Sequence, residues 1–389
     1  MFLRYPVKFL ISLFGFCIKA LVEKPPGIGK PERIAILLWG GIGNHILFSP
    51  ALYAIRKRFP NSLITICSFQ HFAEELFPQT ADRFLTVGEN PSLRSIHRML
   101  FLLKQYRPDV VISNGMSPTF LSSSIAYLSG ARIRVGVDRC HRGSLNNIRM
   151  REDACHEVEL NRRIAESLTR KPVEPILCLD YATVDEKIAN NMAMEIFGMT
   201  RHGVRVAVQP GSGSRQAFKR WEKEKFKSLI ERLLHIGAKV VVMGTEEEQE
   251  EIAFIRKTIR HKDLKFLRTH LTLPQIALVL KHFDLVVAND TSLVHLAAAS
   301  GVPSVVIYGP TDPDKNEPWG VSSRIVRKRM KCAPCYQYAI PRCRRHFKCL
   351  RDISVEEVFN AVKELREEKK PQISHLDIDR LLDSQSNWE

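Results

Sequence analysis

The sequence contains no uninterrupted apolar run of the roughly 20 residues that a membrane-spanning helix requires. Its nearest approach, the opening "MFLRYPVKFLISLFGFCIKALV", is broken by Lys8 and Lys19 and offers no small-residue cleavage site, which argues against a secretory signal. A basic helix lying in a membrane interface fits that segment, with Phe2, Phe9, Leu13, Phe16 and Leu21 available for the lipid side. A helix packed on the protein's own surface is the alternative. Acidic residues are also short: 42 Asp and Glu face 58 Lys and Arg, a net charge of +16. The deficit points to anionic partners, namely nucleic acid, an anionic membrane face or phosphorylated substrates. No RNA-binding signature, zinc-finger spacing or basic zipper accompanies the charge, so nucleic acid is not expected. Five of the nine cysteines stand singly (Cys17, Cys67, Cys140, Cys155, Cys178), and no export signal is evident. The chain therefore reads as cytoplasmic with reduced thiols.

Two familiar nucleotide motifs are missing as well. "WGGIGNHI" (39–46) follows an apolar strand but lacks the Gly-x-Gly-x-x-Gly spacing, which removes a nicotinamide oxidoreductase. "QPGSGSRQAFKRW" (209–221) lacks the glycine–lysine–hydroxyl ending of a P-loop.

What is present is a repeated rhythm over 389 residues, enough for two domains with separate cores. Apolar strands are expected at 33–38, 61–68, 107–114 and 132–137, with a helix around 49–59. After "RKPVEPILCLD" the pattern restarts. Strands are expected at 203–212, 239–244, 284–290 and 303–309, and helices at 224–238, 273–283 and 292–301. Alternating strands and helices imply parallel sheets covered on both faces. The expected organisation is an N-terminal membrane-associating segment and linker (1–31), a doubly wound domain (32–180), a second one (181–369) and a polar tail (370–389).

Ligands of such sheets bind beyond the carboxyl ends of the strands. Two segments there carry suitable chemistry. In "NDTSLVHLAAASGVPSVVIYGPTDP" (289–313), Asp290 ends a strand, Asp290 or Thr291 can cap the next helix, and His295 lies one turn in. Helix-start amides with a hydroxyl suit a diphosphate, and capping alone is the bland alternative. A second turn, Gly309-Pro310-Thr311, follows the next strand. In "QPGSGSRQAFKRW", Gly211, Ser212 and Ser214 offer donors, and Lys219 and Arg220 offer cations; a solvated basic loop is the alternative. The glutamates of "GTEEEQEE" (244–251) read mainly as a helix start favoured by the dipole.

Together these segments resemble glycosyltransferase family 9, the heptosyltransferases of lipopolysaccharide core assembly, over roughly residues 32–365. "RIAILLWGGIGNHILFSPALYAIRKRFPNSLITI" (33–66) is similar to the family's opening unit. "VQPGSGSRQAFKRWEKEKFKSLIERL" (208–233) resembles its phosphate-binding segment, with Lys219 before Trp221. Asp290, Thr291, Ser292, Leu293 and His295 match its Asp-Thr-Gly-x-x-His signature, with Ser292 in place of glycine. The resemblance implies a GT-B fold, two Rossmann-like domains facing a central cleft, and an inverting, metal-independent transfer without cofactor. The donor would be a nucleotide sugar, ADP-heptose, in the C-terminal half. The acceptor would be a glycolipid or oligosaccharide in the N-terminal half, at the inner face of the cytoplasmic membrane. A non-catalytic nucleotide-sugar or glycan-binding homologue is the competing reading.

Two points stay open. Cys332, Cys335, Cys343 and Cys349 are ligand-like, but the spacings after Cys335 match no common zinc ribbon, and packed or redox-active thiols are expected rather than a metal. The turn Gly40-Gly41-Ile42-Gly43 is followed by Asn44, where the resemblance implies an aspartate acting as general base. An amide cannot take that proton. His45 is adjacent and titrates near neutrality, but a helical position aims it elsewhere. The base is another group, or none, or the protein transfers poorly.

Overall fold

The structure, a computed structural model, describes residues 22–88, 91–152, 155–198, 203–268, 271–335 and 343–367. Residues 1–21 and the tail from 368 lie outside it, and with them nearly all of the expected interfacial helix. No helix among the described residues is long and apolar enough to cross a membrane.

Among the described residues, twelve strands form two sheets of six, and every strand pairing is parallel. The first sheet holds β1 (Arg33–Leu37), β2 (Leu63–Ser68), β3 (Arg83–Thr86), β4 (Val110–Ser113), β5 (Ile133–Asp138) and β6 (Ile148–Arg151). Its order is β3-β2-β1-β4-β5-β6. The second holds β7 (Arg205–Gln209), β8 (Lys239–Gly244), β9 (Leu264–Arg268), β10 (Leu285–Asn289), β11 (Ser304–Tyr308) and β12 (Ser323–Arg327), ordered β12-β11-β10-β7-β8-β9. Alternate residues of β1 face two different apolar cores: Ile34 and Ile36 one, Ala35 and Leu37 the other. In the second sheet Val206 and Val208 part from Ala207 in the same way. Period-two side chains buried on both faces are why these central strands read as continuous apolar runs. This is the expected two-domain GT-B architecture.

The helices that cover the sheets include α1 (Ile42–Arg58), α2 (Phe72–Leu76), α3 (Leu93–Tyr106), α4 (Thr119–Leu128) and α5 (Glu157–Thr169) in the first half. In the second half they are α6 (Thr183–Phe197), α7 (Lys223–His235), α8 (Gln249–Thr258), α9 (Leu273–Leu280) and α10 (Ser292–Ala299). α10 packs on α1 and α9 on α2, so one apolar cluster runs through both halves. The sheets reverse strand order between β1 and β4 and between β7 and β10. At those switch points the loops after adjacent strands diverge and leave a crevice.

α1 starts at Ile42, seven residues before its expected start near 49. The reason is Pro50, which lies inside the helix and cannot donate to the carbonyl of Ile46. The Ser49 hydroxyl takes that carbonyl instead, at 2.7 Å, and accepts the Cys178 amide at 3.0 Å. The helix is thus continuous through a residue that normally ends one.

Candidate active site

Asn44 sits in the first turn of α1, and both ends of its amide are engaged. Its Oδ1 accepts the Gly41 N–H at 2.9 Å, and its Nδ2 donates to Glu157 at 2.9 Å (Oε2) and 3.2 Å (Oε1). Glu157 opens α5, which lies parallel to α1. Asn161 Nδ2 donates to the Leu47 carbonyl and Arg58 Nε to that of Thr169, so the two N-termini lie together. Their partial positive charges favour a carboxylate between them. Burial works the other way and dominates, raising the Glu157 carboxyl to about 8 against the amides of Asn44 and Asn161 and the charge of Arg139.

The glycines of the turn serve the protein's own side chains. Gly40 has φ +111°, and a Cβ there would lie 2.2 Å from Asn44 Oδ1. A Cβ on Gly43 would lie 2.5 Å from His295 Cδ2, across the cleft. Gly41 faces open space. His45 is buried, with Nδ1 2.9 Å from the Gly41 carbonyl and its ring edge-on to Phe72. Burial pushes its imidazolium down to about 4, so it holds no titration near neutrality.

On the opposite wall, Lys219 Nζ pairs with the Asp290 carboxylate at 2.8 Å. The Thr291 hydroxyl donates to Gln209 Oε1 at 2.6 Å, and no side chain caps the first amides of α10. The capping-only alternative for Asp290 and Thr291 therefore does not describe this helix. Ser292 begins α10 half-buried, and Leu293 points into the apolar cluster. His295 is buried beside Gly43, and burial holds its imidazolium down at about 4 against the pull of Asp290.

The neighbouring loop departs from expectation. Ser212 is buried and its hydroxyl donates to the Gln216 carbonyl at 2.9 Å. The Ser214 amide donates to Glu247 at 2.8 Å, so a carboxylate takes a donor expected for phosphate. Arg220 pairs with Glu251 at 2.6 Å and reaches the Ser212 and Glu247 carbonyls, which makes it a brace of the loop. The "GTEEEQEE" glutamates are largely internal partners: Glu248 closes a capping box with Thr245 and also accepts from Gln209. The Gly309 turn is likewise a packing feature, since a Cβ there would strike Leu350 at 2.4 Å.

His156 closes the space between the walls. Its Nδ1 accepts the Val158 N–H, which leaves Nε2 as the donor to the Glu317 carbonyl at 2.9 Å, and its ring stacks on Trp319 at 4.5 Å. The arrangement is a crevice lined by the starts of α1, α5 and α10, with one buried carboxyl, one buried ion pair and an uncapped helix end.

The family model of Glycosyltransferase family 9 (heptosyltransferase) matches residues 96–342. The chain belongs to this family. Among its relatives is the lipooligosaccharide heptosyltransferase 2 of Campylobacter jejuni, 22% identical, over 86% of this chain and 99% of that one. Among solved structures, a family 9 glycosyltransferase from Veillonella parvula aligns with TM-score 0.69 at 21% identity, over 87% of this chain and 98% of its own. The Escherichia coli ADP-heptose lipopolysaccharide heptosyltransferase II aligns with TM-score 0.62 at 20% identity, over 87% and 100%. Family 9 members are glycosyltransferases, so this chain is an enzyme of that class and the non-catalytic reading is not carried forward.

Within this family 9 chain, the structure brings Lys219, Asp290, Thr291 and His295 to one wall and Asn44 to the other. Glu157 and His156 were missed by sequence reasoning. An acidic residue opening "EVELNRRIAESLT" is ordinary dipole complementation, and its partner lies 113 positions away. Of the four late cysteines, Cys332 and Cys335 are exposed, Cys343 is half-buried and Cys349 is buried. Burial raises the Cys349 thiol to about 11, with the three other thiols adding to the effect. No group of His, Cys, Asp or Glu with metal-holding geometry is found among the described residues.

Proposed function

We propose that this enzyme transfers a heptose, or a closely related sugar, from an ADP-sugar to a lipopolysaccharide core or similar cell-envelope glycan, with inversion at the anomeric carbon. The observation that carries the reading is the Lys219–Asp290 pair beside the uncapped start of α10, at the switch point of the second sheet. Preorganised cations and amides aimed at a departing diphosphate stabilise the charge that develops there, in the role a divalent cation plays elsewhere. In this reading residues 181–369 hold the donor and 32–180 the acceptor, and a hydroxyl attacks opposite the leaving group. Lys219 and the α10 amides bind the diphosphate. Asp290 positions Lys219, and the turn of Gly40, Gly41 and Gly43 brings Asn44 to the acceptor's side, where Gly41 faces open space. The names of relatives agree in donor and acceptor class: one is an ADP-heptose transferase, another acts in lipooligosaccharide assembly.

The net charge of +16 and the basic, apolar opening segment support work at the inner face of the cytoplasmic membrane, with residues 1–31 as the contact. The test incubates the full chain with ADP-heptose and truncated lipopolysaccharide cores, with and without chelator, and follows product by mass spectrometry and anomeric configuration by NMR. Chelator-insensitive transfer with inversion is expected. Loss of activity on chelation, or transfer only from other nucleotide sugars, would overturn the corresponding part.

A further inference from the structure

The α1 turn carries an amide where a proton acceptor is needed, and the amide leads directly to a carboxyl. Asn44 is half-buried, while Glu157 is 3% exposed and receives both of its contacts with Asn44 from the single Nδ2 amide. A carboxylate has about four lone-pair sites, so capacity remains for an incoming hydroxyl. The other titratable groups at this end of the cleft are poor candidates. His45 turns back onto the Gly41 carbonyl, and the His295 ring is pressed against Gly43. Both are held neutral with weakly basic nitrogens.

We propose that Glu157 is the general base of the transfer, with Asn44 positioning its carboxylate. The proposal rests on the glycosyl-transfer reading above. In the step, a Glu157 oxygen takes the proton of the acceptor hydroxyl as the hydroxyl oxygen bonds to the anomeric carbon. The bond from that carbon to the donor phosphate breaks, and its electron pair leaves on the nucleoside diphosphate. The two parallel helix starts favour the ionised form, and the burial of Glu157 makes it a stronger base. The charged group that faces Glu157 is Arg139, itself ion-paired with Glu152 at 2.6 Å. With a carboxyl raised to about 8, transfer gains rate as pH rises, with an inflection on the alkaline side of neutrality.

The experiment compares three full-length variants: Glu157→Gln, Asn44→Asp and the exchange Asn44→Asp/Glu157→Gln. The exchange keeps one amide, one carboxyl and the hydrogen bond between them. Glu157→Gln is expected to lower kcat by about 10²–10⁴-fold, the usual scale of general-base assistance, and to abolish the inflection. ADP affinity by calorimetry should not change. Asn44→Asp alone places two carboxyls in contact and should push the inflection to higher pH. The exchange should recover part of kcat with an inflection at lower pH, because residue 44 is the more exposed of the two. Glu157→Gln that keeps both kcat and inflection overturns the proposal. So does an exchanged pair that folds and binds ADP without transferring sugar, and this pair decides the matter if Glu157→Gln alone does not fold. Absence of transfer by the unmutated protein is a different result, because it removes the functional reading itself.

Discussion

Lys219 Nζ stands 2.8 Å from the Asp290 carboxylate, with the lysine side chain 13% and the aspartate 2% exposed. The lysine comes from the end of a 3-10 turn after β7 and the aspartate follows the end of β10; the two residues are 71 positions apart, but their strands are neighbours in the sheet. An ion pair so shielded is costly to break from one side, because the partner is left charged and unpaired. Lys219→Ala is therefore expected to cost about 3–5 kcal/mol of stability and to weaken ADP binding. Replacing both residues by alanine should restore much of the stability, read by urea titration, but not the ADP affinity, read by calorimetry. Recovery of both would make the pair purely structural. Asp290→Asn should also lower stability, because it leaves the Lys219 ammonium without its anion.

Gly43 and His295 meet across the cleft. Gly43 lies in ordinary helical backbone, so Gly43→Ala tests the contact without backbone strain. Its Cβ would come within 2.5 Å of the imidazole Cδ2. Overpacking of this kind costs about 1–3 kcal/mol, and here it also wedges α1 away from α10. Gly43→Ala should lower the melting temperature and kcat together, and His295→Ala in the same chain should relieve the loss of stability. Failure of the second substitution to help would mean that the two residues do not touch in solution.

Stability should vary with pH in two opposed ways. His45 and His295 have folded values lowered to about 4 from 6.5, so the unfolded chain binds more protons between those limits. Their contribution is present above pH 6.5 and is lost as pH falls towards 4. Glu157 is the reverse: its folded value is raised to about 8 from 4.5, so its contribution is present below pH 4.5 and lost as pH rises through 8. These two histidines, joined by His156, whose imidazolium burial also lowers, outweigh the glutamate on the acid side, and the glutamate dominates above pH 6.5. Denaturant titrations across this range should show a maximum near pH 6.5 and a decline towards 8. Glu157→Gln should abolish the alkaline decline and be the more stable protein at pH 8. A less stable variant there would mean that the carboxyl is not held protonated by burial.

Legibility in the sequence followed burial. The eight expected strands are the central ones, whose residues face apolar neighbours on both sides. The four strands not expected, "RFLT", "IRMR", "LKFLR" and "SRIVR", are the four sheet edges. Their arginines and lysines blunt edge pairing and at the same time break the apolar run by which a strand is recognised. The early start of α1 was hidden for a similarly local reason: Pro50 signals a break, and only the Ser49 hydroxyl, seated on Cys178 from far along the chain, removes it.

By itself, the sequence determined the two doubly wound halves, the family and the segments that line the cleft. Each of these depends on periodicity or on residues close together in the chain. The tertiary structure decided what those residues do to one another. It set Lys219 against Asp290, used Gly43 to admit His295, and gave the Ser214 amide to Glu247. It also brought Glu157 to Asn44 by laying two helices parallel with their starts together. No local pattern encodes that last contact, because either residue alone is an ordinary opening to a helix. The carboxyl acquires its raised affinity for protons only when packing takes it out of water.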